Sequence, residues 1–130
     1  MTVAFLDPLK IGRLRQSINQ DAEFKLAARY MSEDVLFEVD KARSIVRVRN
    51  GEISEIKIGP SPDESWSFGI SAPAASWEKL LQQIPPPFFT GLNAAMMRRH
   101  LQITGNLELA FAYLWALNRI LDIMKQPGNE

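Results

Sequence analysis

Apolar positions along this 130-residue chain change period twice, from helical to alternating and back to helical. Over residues 1–31 the apolar positions recur at helical spacing, which predicts one or two helices. Ile11, Leu14 and Ile18 keep one face, and Phe24, Ala27, Ala28 and Met31 keep another. The second face restarts at Asp21, a suitable N-cap, and Pro8 suits a helix start. Strict alternation then takes over. Val35, Phe37 and Val39 alternate with Leu36, Glu38 and Asp40, and Val46 and Val48 with Arg47 and Arg49. Asn50-Gly51 is a hairpin signal. Ile56 and Ile58 alternate with Glu55 and Lys57, and Trp66, Phe68 and Ile70 with Ser67, Gly69 and Ser71. Leu101 and Ile103 follow the same rule. Five half-polar strands predict a largely antiparallel sheet, covered on one face and wet on the other. The wet face would carry Glu38, Asp40, Arg47, Arg49, Glu55 and Lys57, whose opposite charges suit cross-strand pairs.

Between the fourth and fifth alternating runs the period is helical again. Ser76 is placed to cap Trp77-Glu78-Lys79-Leu80-Leu81, the run Pro85-Pro86-Pro87 stops that helix, and a second helix is expected over Phe89–Arg99. After Gly105-Asn106 comes one long apolar helix, Leu107–Met124, with Glu108, Asn118, Arg119 and Asp122 as its plainly polar residues. At 100° per residue, Glu108, Ala112, Trp115, Arg119 and Asp122 share an outward stripe. Ala110, Tyr113, Leu114, Leu117, Leu121 and Met124 face inward, with Leu107, Phe111 and Asn118 on one flank. A helix apolar over most of its circumference needs more cover than one sheet face provides. It is buried on several sides, lines an apolar cavity, or meets a partner.

Composition narrows the function classes. One domain spanning 1–130 is expected from the length. Fifteen basic and fifteen acidic side chains cancel, so no global basic field draws nucleic acid. The absence of cysteine excludes disulfides, thiol catalysis and Cys-based metal sites. The uninterrupted apolar run Leu109–Leu117 is shorter than the ~20 residues a membrane span needs, so no stable membrane insertion is expected. No secretory signal is visible, and a cytoplasmic protein is expected. His100, the one histidine, has no triad context, and the glycines are too scattered for a phosphate loop. No enzyme and no cofactor are expected.

The order of elements, with Leu101-x-Ile103-x-Gly105-Asn106 leading into Leu107–Leu121, resembles the sterol carrier protein 2 family. Asp21-Ala22-Glu23-Phe24 through Val35-Leu36-Phe37-Glu38-Val39 is similar to the family's early helix and first strand. Trp77-Glu78-Lys79-Leu80-Leu81 is similar to its post-strand helix, and the resemblance covers a core of roughly 21–124. Asn106 stands where the family usually has Asp, and both residues cap helices. Arg98-Arg99-His100 stands where members often have a glycine. The resemblance implies a two-layer α+β domain: a five-stranded, mostly antiparallel sheet covered on one face by helices, ending in a long C-terminal helix. It also implies non-catalytic binding, and transfer, of a fatty acid, acyl-CoA or sterol-like lipid in an apolar cavity between sheet and helices.

The residues expected to line such a site are Phe88, Phe89, Leu92, Met96, Met97, Phe111, Leu114, Leu117, Asn118 and Leu121. Apolar stripes of this kind commonly form core, while methionines also suit sites that adapt to varied ligands. Asn118 and Tyr113 place polar groups on an apolar surface. Either they bond local backbone, or they orient a ligand head group. Trp115, on the polar stripe, is read either as stacked on Arg119 or as the anchor of a homodimer or partner-protein contact. In the second reading the core is filled and the chain is an interaction or regulatory module.

Overall fold

The computed structural model describes residues 3–82, 85, 87, 91–97 and 100–126, with only the backbone described at Asn93 and Met97. A short 3-10 turn at Ala4–Leu6 precedes helices α1 (Ile11–Asn19) and α2 (Ala22–Ala27). The chain then forms β1 (Asp34–Val39), β2 (Ala42–Arg49), β3 (Glu52–Ile58) and β4 (Phe68–Ala72). Helices α3 (Ala74–Leu80) and α4 (Leu92–Met97) lead to β5 (Gln102–Gly105), followed by α5 (Leu107–Ala112) and α6 (Leu114–Met124).

The sheet order is β3-β2-β1-β4-β5. Three of its pairings are antiparallel, while β1 and β4 run parallel, with Phe37 opposite Ile70. The tight β2–β3 hairpin turns at Asn50 and Gly51, whose φ angles of 52° and 78° suit the mirror-image turn that matches strand twist. A side chain at Gly51 would also meet the Ala28 carbonyl oxygen at 2.8 Å.

Register puts Val35, Phe37 and Val39 on the helix-covered face with Val46, Phe68, Ile70 and Ala72. There Phe37 meets Phe5 at a ring-centroid distance of 4.8 Å and Trp77 at 6.1 Å. Trp77 satisfies its indole N–H by donating to the Glu38 carbonyl oxygen at 2.9 Å, so a large aromatic is buried with no orphaned donor. The opposite face carries the expected charge pairs. Arg47 bonds Asp34 directly across the strands at 2.9 Å, Arg43 lies 3.5 Å from Glu38, and Arg49 lies 2.8 Å from Asp34. This face is less wet than alternation predicts. The 59–67 connection crosses it from the β3 edge to β4, with Glu64 held by Lys57 and Arg47. Leu36 and Ile45, on the charged side of the sheet, are buried there.

Several boundaries differ from the sequence reading. The N-terminal segment is divided by turns into three pieces, and α1 begins at Ile11 rather than at Pro8. Asp21 does cap α2, accepting from the Phe24 N–H at 2.8 Å. Helix α3 starts after Pro73, so Ser76 lies inside it, because Pro73 already supplies the extended residue that precedes a helix. Strand β4 begins at Phe68, leaving Trp66 in the loop. Within the expected Phe89–Arg99 helix, α4 occupies Leu92–Met97, while Phe88, Phe89, Arg98 and Arg99 lie outside the described residues. The expected single C-terminal helix is two. Tyr113, at φ −109° and ψ 18°, leaves helical geometry between α5 and α6. Asn106 caps α5 through the Leu109 N–H at 3.1 Å, as expected of that turn.

Candidate functional site

Helix α6 packs against α1, α2 and α4. Contact on several sides explains its wide buried arc of Ala116, Leu117, Ile120, Leu121, Ile123 and Met124. Ala110, Leu117, Leu121 and Met124 point inward as the periodicity predicts, whereas Tyr113 and Leu114 are only half-buried. The break at Tyr113 falls between the stretches on which that inward stripe was drawn.

Apolar surface that the core does not take lies around the α5–α6 junction and α2. Trp115 is 79% exposed, Leu26 65% and Phe111 49%. Two open clefts flank Trp115. One, of about 410 Å³, is lined by Phe111, Ala112, Leu114, Trp115 and Asn118. The other, of about 460 Å³, is lined by Glu23, Leu26, Ala27 and Trp115.

The two clefts are held by an anchor between α2 and α6. Arg119 donates through Nε and Nη2 to both carboxylate oxygens of Asp21, at 2.9 and 2.8 Å, and its Nη1 lies 3.4 Å from Glu23. The helical wheel puts Arg119 on the exposed stripe, where one of the two readings stacks it on Trp115. It is instead half-buried and turned to α2, because a two-pronged bond to a carboxylate outweighs a contact with an exposed ring. The Arg119 hydrogen bond holds the Asp21 carboxyl below the usual aspartate range, against the upward pull of burial. Tyr113 adds a longer tie, its hydroxyl donating to the Tyr30 carbonyl oxygen at 3.4 Å.

Of the ten residues expected to bind a ligand, the first cleft gathers Phe111, Leu114 and Asn118. Asn118 also touches the start of α4, its Oδ1 accepting from the Leu92 N–H at 2.9 Å. Leu92, Leu117 and Leu121 belong to the packed core, and Met96 packs against its edge. Phe88, Phe89 and the Met97 side chain lie outside the described residues. Sequence reasoning missed Ala112, Leu26 and Ala27, although Leu26 signalled itself as an apolar residue off its helix's buried face.

A third cleft, of about 360 Å³, brings Asp40, Ser71 and His100 together with Ala72, Pro73, Leu101 and Gln102. These residue types invite comparison with a nucleophilic relay. The Ser71 hydroxyl donates to Glu38 Oε1 at 2.8 Å, and Asp40 Oδ1 accepts from the Ala74 N–H at 3.2 Å. Both side chains therefore have structural roles. No group of three or more metal-ligating side chains occurs among the described residues. Nor is any described helix long and apolar enough to cross a membrane.

No family sequence model and no curated protein sequence matches the chain, so its likeness to known proteins is carried by structure. The architecture is that of a small α+β domain of the sterol carrier protein 2 fold. A crystal structure of sterol carrier protein 2 superposes with a TM-score of 0.74 at 16% identity, over 96% of each chain. A conserved hypothetical protein of Thermus thermophilus, described as a candidate sterol carrier protein, gives 0.65 at 15% identity over 96% of this chain and 95% of that one. A UbiJ-SCP2 ubiquinone synthesis protein gives 0.58 at 14% identity, over 86% and 89%.

Proposed function

We propose that the protein is a non-catalytic, cytoplasmic binder and carrier of an apolar or amphipathic lipid of the fatty acid, acyl-CoA or sterol-like kind. The observation that carries this reading is the cleft of about 410 Å³ formed by Phe111, Ala112, Leu114, Trp115 and Asn118. Its volume is in the range of small-molecule sites, it is open to solvent, and its side chains are apolar except for the Asn118 amide and the Trp115 indole N–H. The fold shared with sterol carrier protein 2 supports the reading. The driving force is removal of the ligand's apolar body, and of the exposed Trp115 and Phe111 rings, from water at ~25 cal/mol per Å². Of the other expected residues, Leu92, Leu117 and Leu121 are part of the packed core and Met96 packs against it.

A fluorescent fatty-acid probe tests it. Binding is expected to saturate at one or a few sites and to be reversed by unlabelled lipid. Leu114→Trp, which places an indole in the cleft, is expected to lower probe binding while leaving the melting temperature nearly unchanged. Absence of binding by fatty acids, acyl-CoA and sterols at micromolar concentration would exclude the reading.

A second reading is favoured by one observation, the continuity of exposed Trp115 with the Leu26–Ala27 cleft of about 460 Å³. A ring beside an apolar hollow on one surface is self-complementary for a two-fold dimer. In this reading Trp115→Glu converts dimer to monomer, while two monomers by light scattering would dismiss it.

A further inference from the structure

Five of the six large apolar side chains that stand exposed among the described residues lie on one surface. Trp115 shares one cleft with Leu26 and the other with Phe111. Leu107 is one turn before Phe111 on α5, and the Tyr113 hydroxyl ties Tyr30 to the α5–α6 junction by donating to its carbonyl oxygen. The sixth, Leu9, precedes α1. A contiguous apolar surface of this extent marks an interaction site, and its size limits what can seat on it. At 65%, 80% and 79% exposure, Leu26, Tyr30 and Trp115 offer roughly 450 Å², and Phe111 and Leu107 bring the total to roughly 650 Å². A stable contact takes about 800 Å² from each partner. The Leu26 side alone falls well short of that. The whole surface with its charged margin reaches it, and then includes the Phe111 and Trp115 walls of the cleft of about 410 Å³.

The charges at the margin choose the occupant. Lys25 and Arg29, one turn apart, follow the α2 side, where Arg29 lies over the Tyr30 ring at 5.1 Å. Glu108 stands on the α5 side, next to Leu107. All three are exposed, and none makes an ion pair among the described residues. Glu23, in the Leu26 cleft, is already paired with Arg119. An anionic membrane would attract the α2 flank and repel the α5 flank. A second copy related by a two-fold axis sets α2 of each chain against α5 of its mate, so both flanks are matched at once.

We infer that a second copy seats on this whole surface, Lys25 and Arg29 against Glu108, and covers the lipid cleft, so that lipid and second copy exclude one another. The inference rests on both readings of the surface given above and joins them. The Phe111 and Trp115 rings can leave water against a lipid or against a second chain, but once only.

Sedimentation equilibrium, with laurate below its micellar concentration and a trace of anthroyloxy-palmitate as fluorescent probe, tests it. Added laurate is expected to turn dimer into monomer. The linkage is reciprocal. At a protein concentration about ten times the dimer dissociation constant, about a fifth of the chains are monomeric, and the probe is expected to bind about fivefold more weakly than in dilute protein. Glu108→Lys and Arg29→Glu are each expected to weaken self-association about tenfold while keeping the dilute-protein probe affinity. Mixed in equal amounts they are expected to dimerise as the wild type does, because the mixed dimer restores both charge matches. A dimer unmoved or strengthened by laurate, or a mixture no more associated than its parts, would overturn the inference and leave both readings standing. A monomer at every concentration would overturn it together with the dimer reading, leaving lipid binding intact. If neither probe nor laurate binds, the lipid reading falls, and this inference with it. Should either variant fail to fold, the laurate titration of the unaltered protein decides alone.

Discussion

Asp21 carries two separable contributions, and isosteric substitution tells them apart. Its Oδ2 accepts from the Phe24 N–H and so caps α2, while the same carboxylate takes both prongs of Arg119 from α6, 98 positions later. The side chains of Asp21 and Arg119 retain only 14% and 21% of their exposure, so the pair is screened less than a surface salt bridge. Asp21→Asn keeps a good N-cap but removes the negative charge and one acceptor. With a two-pronged charged bond at the low end of its range, the expected loss is about 1–1.5 kcal/mol. Asp21→Ala also removes the cap, adding about 1 kcal/mol, for a total of about 2–2.5 kcal/mol. In a domain of this size that is a fall in melting temperature of roughly 6–12 °C.

The pH dependence gives an independent check. Arg119 depresses the carboxyl's folded-state pKa below its unfolded value. The ion-pair contribution is therefore complete above the ordinary aspartate pKa of about 4 and is lost as pH falls through the depressed value. Urea denaturation of wild type and Asp21→Asn at pH 7 is expected to show the full difference, which shrinks as pH is lowered below about 4. Equal stability of Asp21→Asn and wild type at pH 7, or a difference that grows on acidification, would refute the assignment. A double-mutant cycle with Arg119→Met isolates the coupling.

Three further outcomes follow from packing. Ser44 is fully buried on the helix-covered face of β2 and its hydroxyl has no partner among the described residues, so Ser44→Ala is expected to raise stability by about 1 kcal/mol in chemical denaturation. A loss would show that the hydroxyl is satisfied. A methyl at Gly69 would lie 2.9 Å from Leu36 Cβ and 3.0 Å from Thr104 Oγ1, so Gly69→Ala is expected to cost about 1–3 kcal/mol. An unchanged denaturation midpoint would mean that β5 yields freely. Leu117, fully buried in α6, is expected to cost about 2–5 kcal/mol when cut to Ala, against less than about 0.5 kcal/mol for exposed Trp115→Ala; similar thermal shifts for the two would contradict the orientation of α6.

The elements that were legible in the chain are those set by local chemistry. Asp21 and Asn106 announce their helices through a side-chain acceptor beside orphan N–H groups. Asn50-Gly51 announces its hairpin through positive φ. Alternation identifies the buried phase of the strands because side chains point to opposite faces in turn. Strand order is a different kind of information. The pattern Phe68, Ile70, Ala72 records which face of β4 is buried, but it is the same whether the neighbour runs parallel or antiparallel, and β1 is its parallel partner. Leu36 and Ile45 stand in the charged phase and are still buried. The 59–67 connection, tied to Arg47 on the same face through Glu64, shares no period with either strand. That Phe111, Leu114 and Asn118 share one surface cleft was legible because residues left off the packed face can be counted on a helical wheel. The break at Tyr113 was not, since no proline or glycine marks it.

That break leaves surplus apolar surface exposed on both sides of Trp115. A straight helix from Leu107 to Met124 would hold Phe111 and Trp115 at fixed angles set by one axis. Ending α5 at Ala112 and restarting at Leu114 lets α6 settle among α1, α2 and α4 while α5 stays beside β4 and β5. Arg119, one turn beyond Trp115, fixes α6 to α2, and Asn118 fixes it to the start of α4. Trp115 is thereby placed between two tied helices without being buried by either, and a cleft opens on each side of it. The ties are polar and directional, and the cleft walls are apolar. An apolar wall held open by hydrogen bonds at its margins cannot collapse to cover itself without breaking them, so its exposed area remains available to a ligand or a second subunit. Loosening one tie at a time, by Asp21→Asn on one side and Asn118→Leu on the other, should change the two clefts separately. If lipid binds between Phe111 and Asn118, its affinity should respond to the second change far more than to the first. Dimerisation through the Leu26 side should show the reverse.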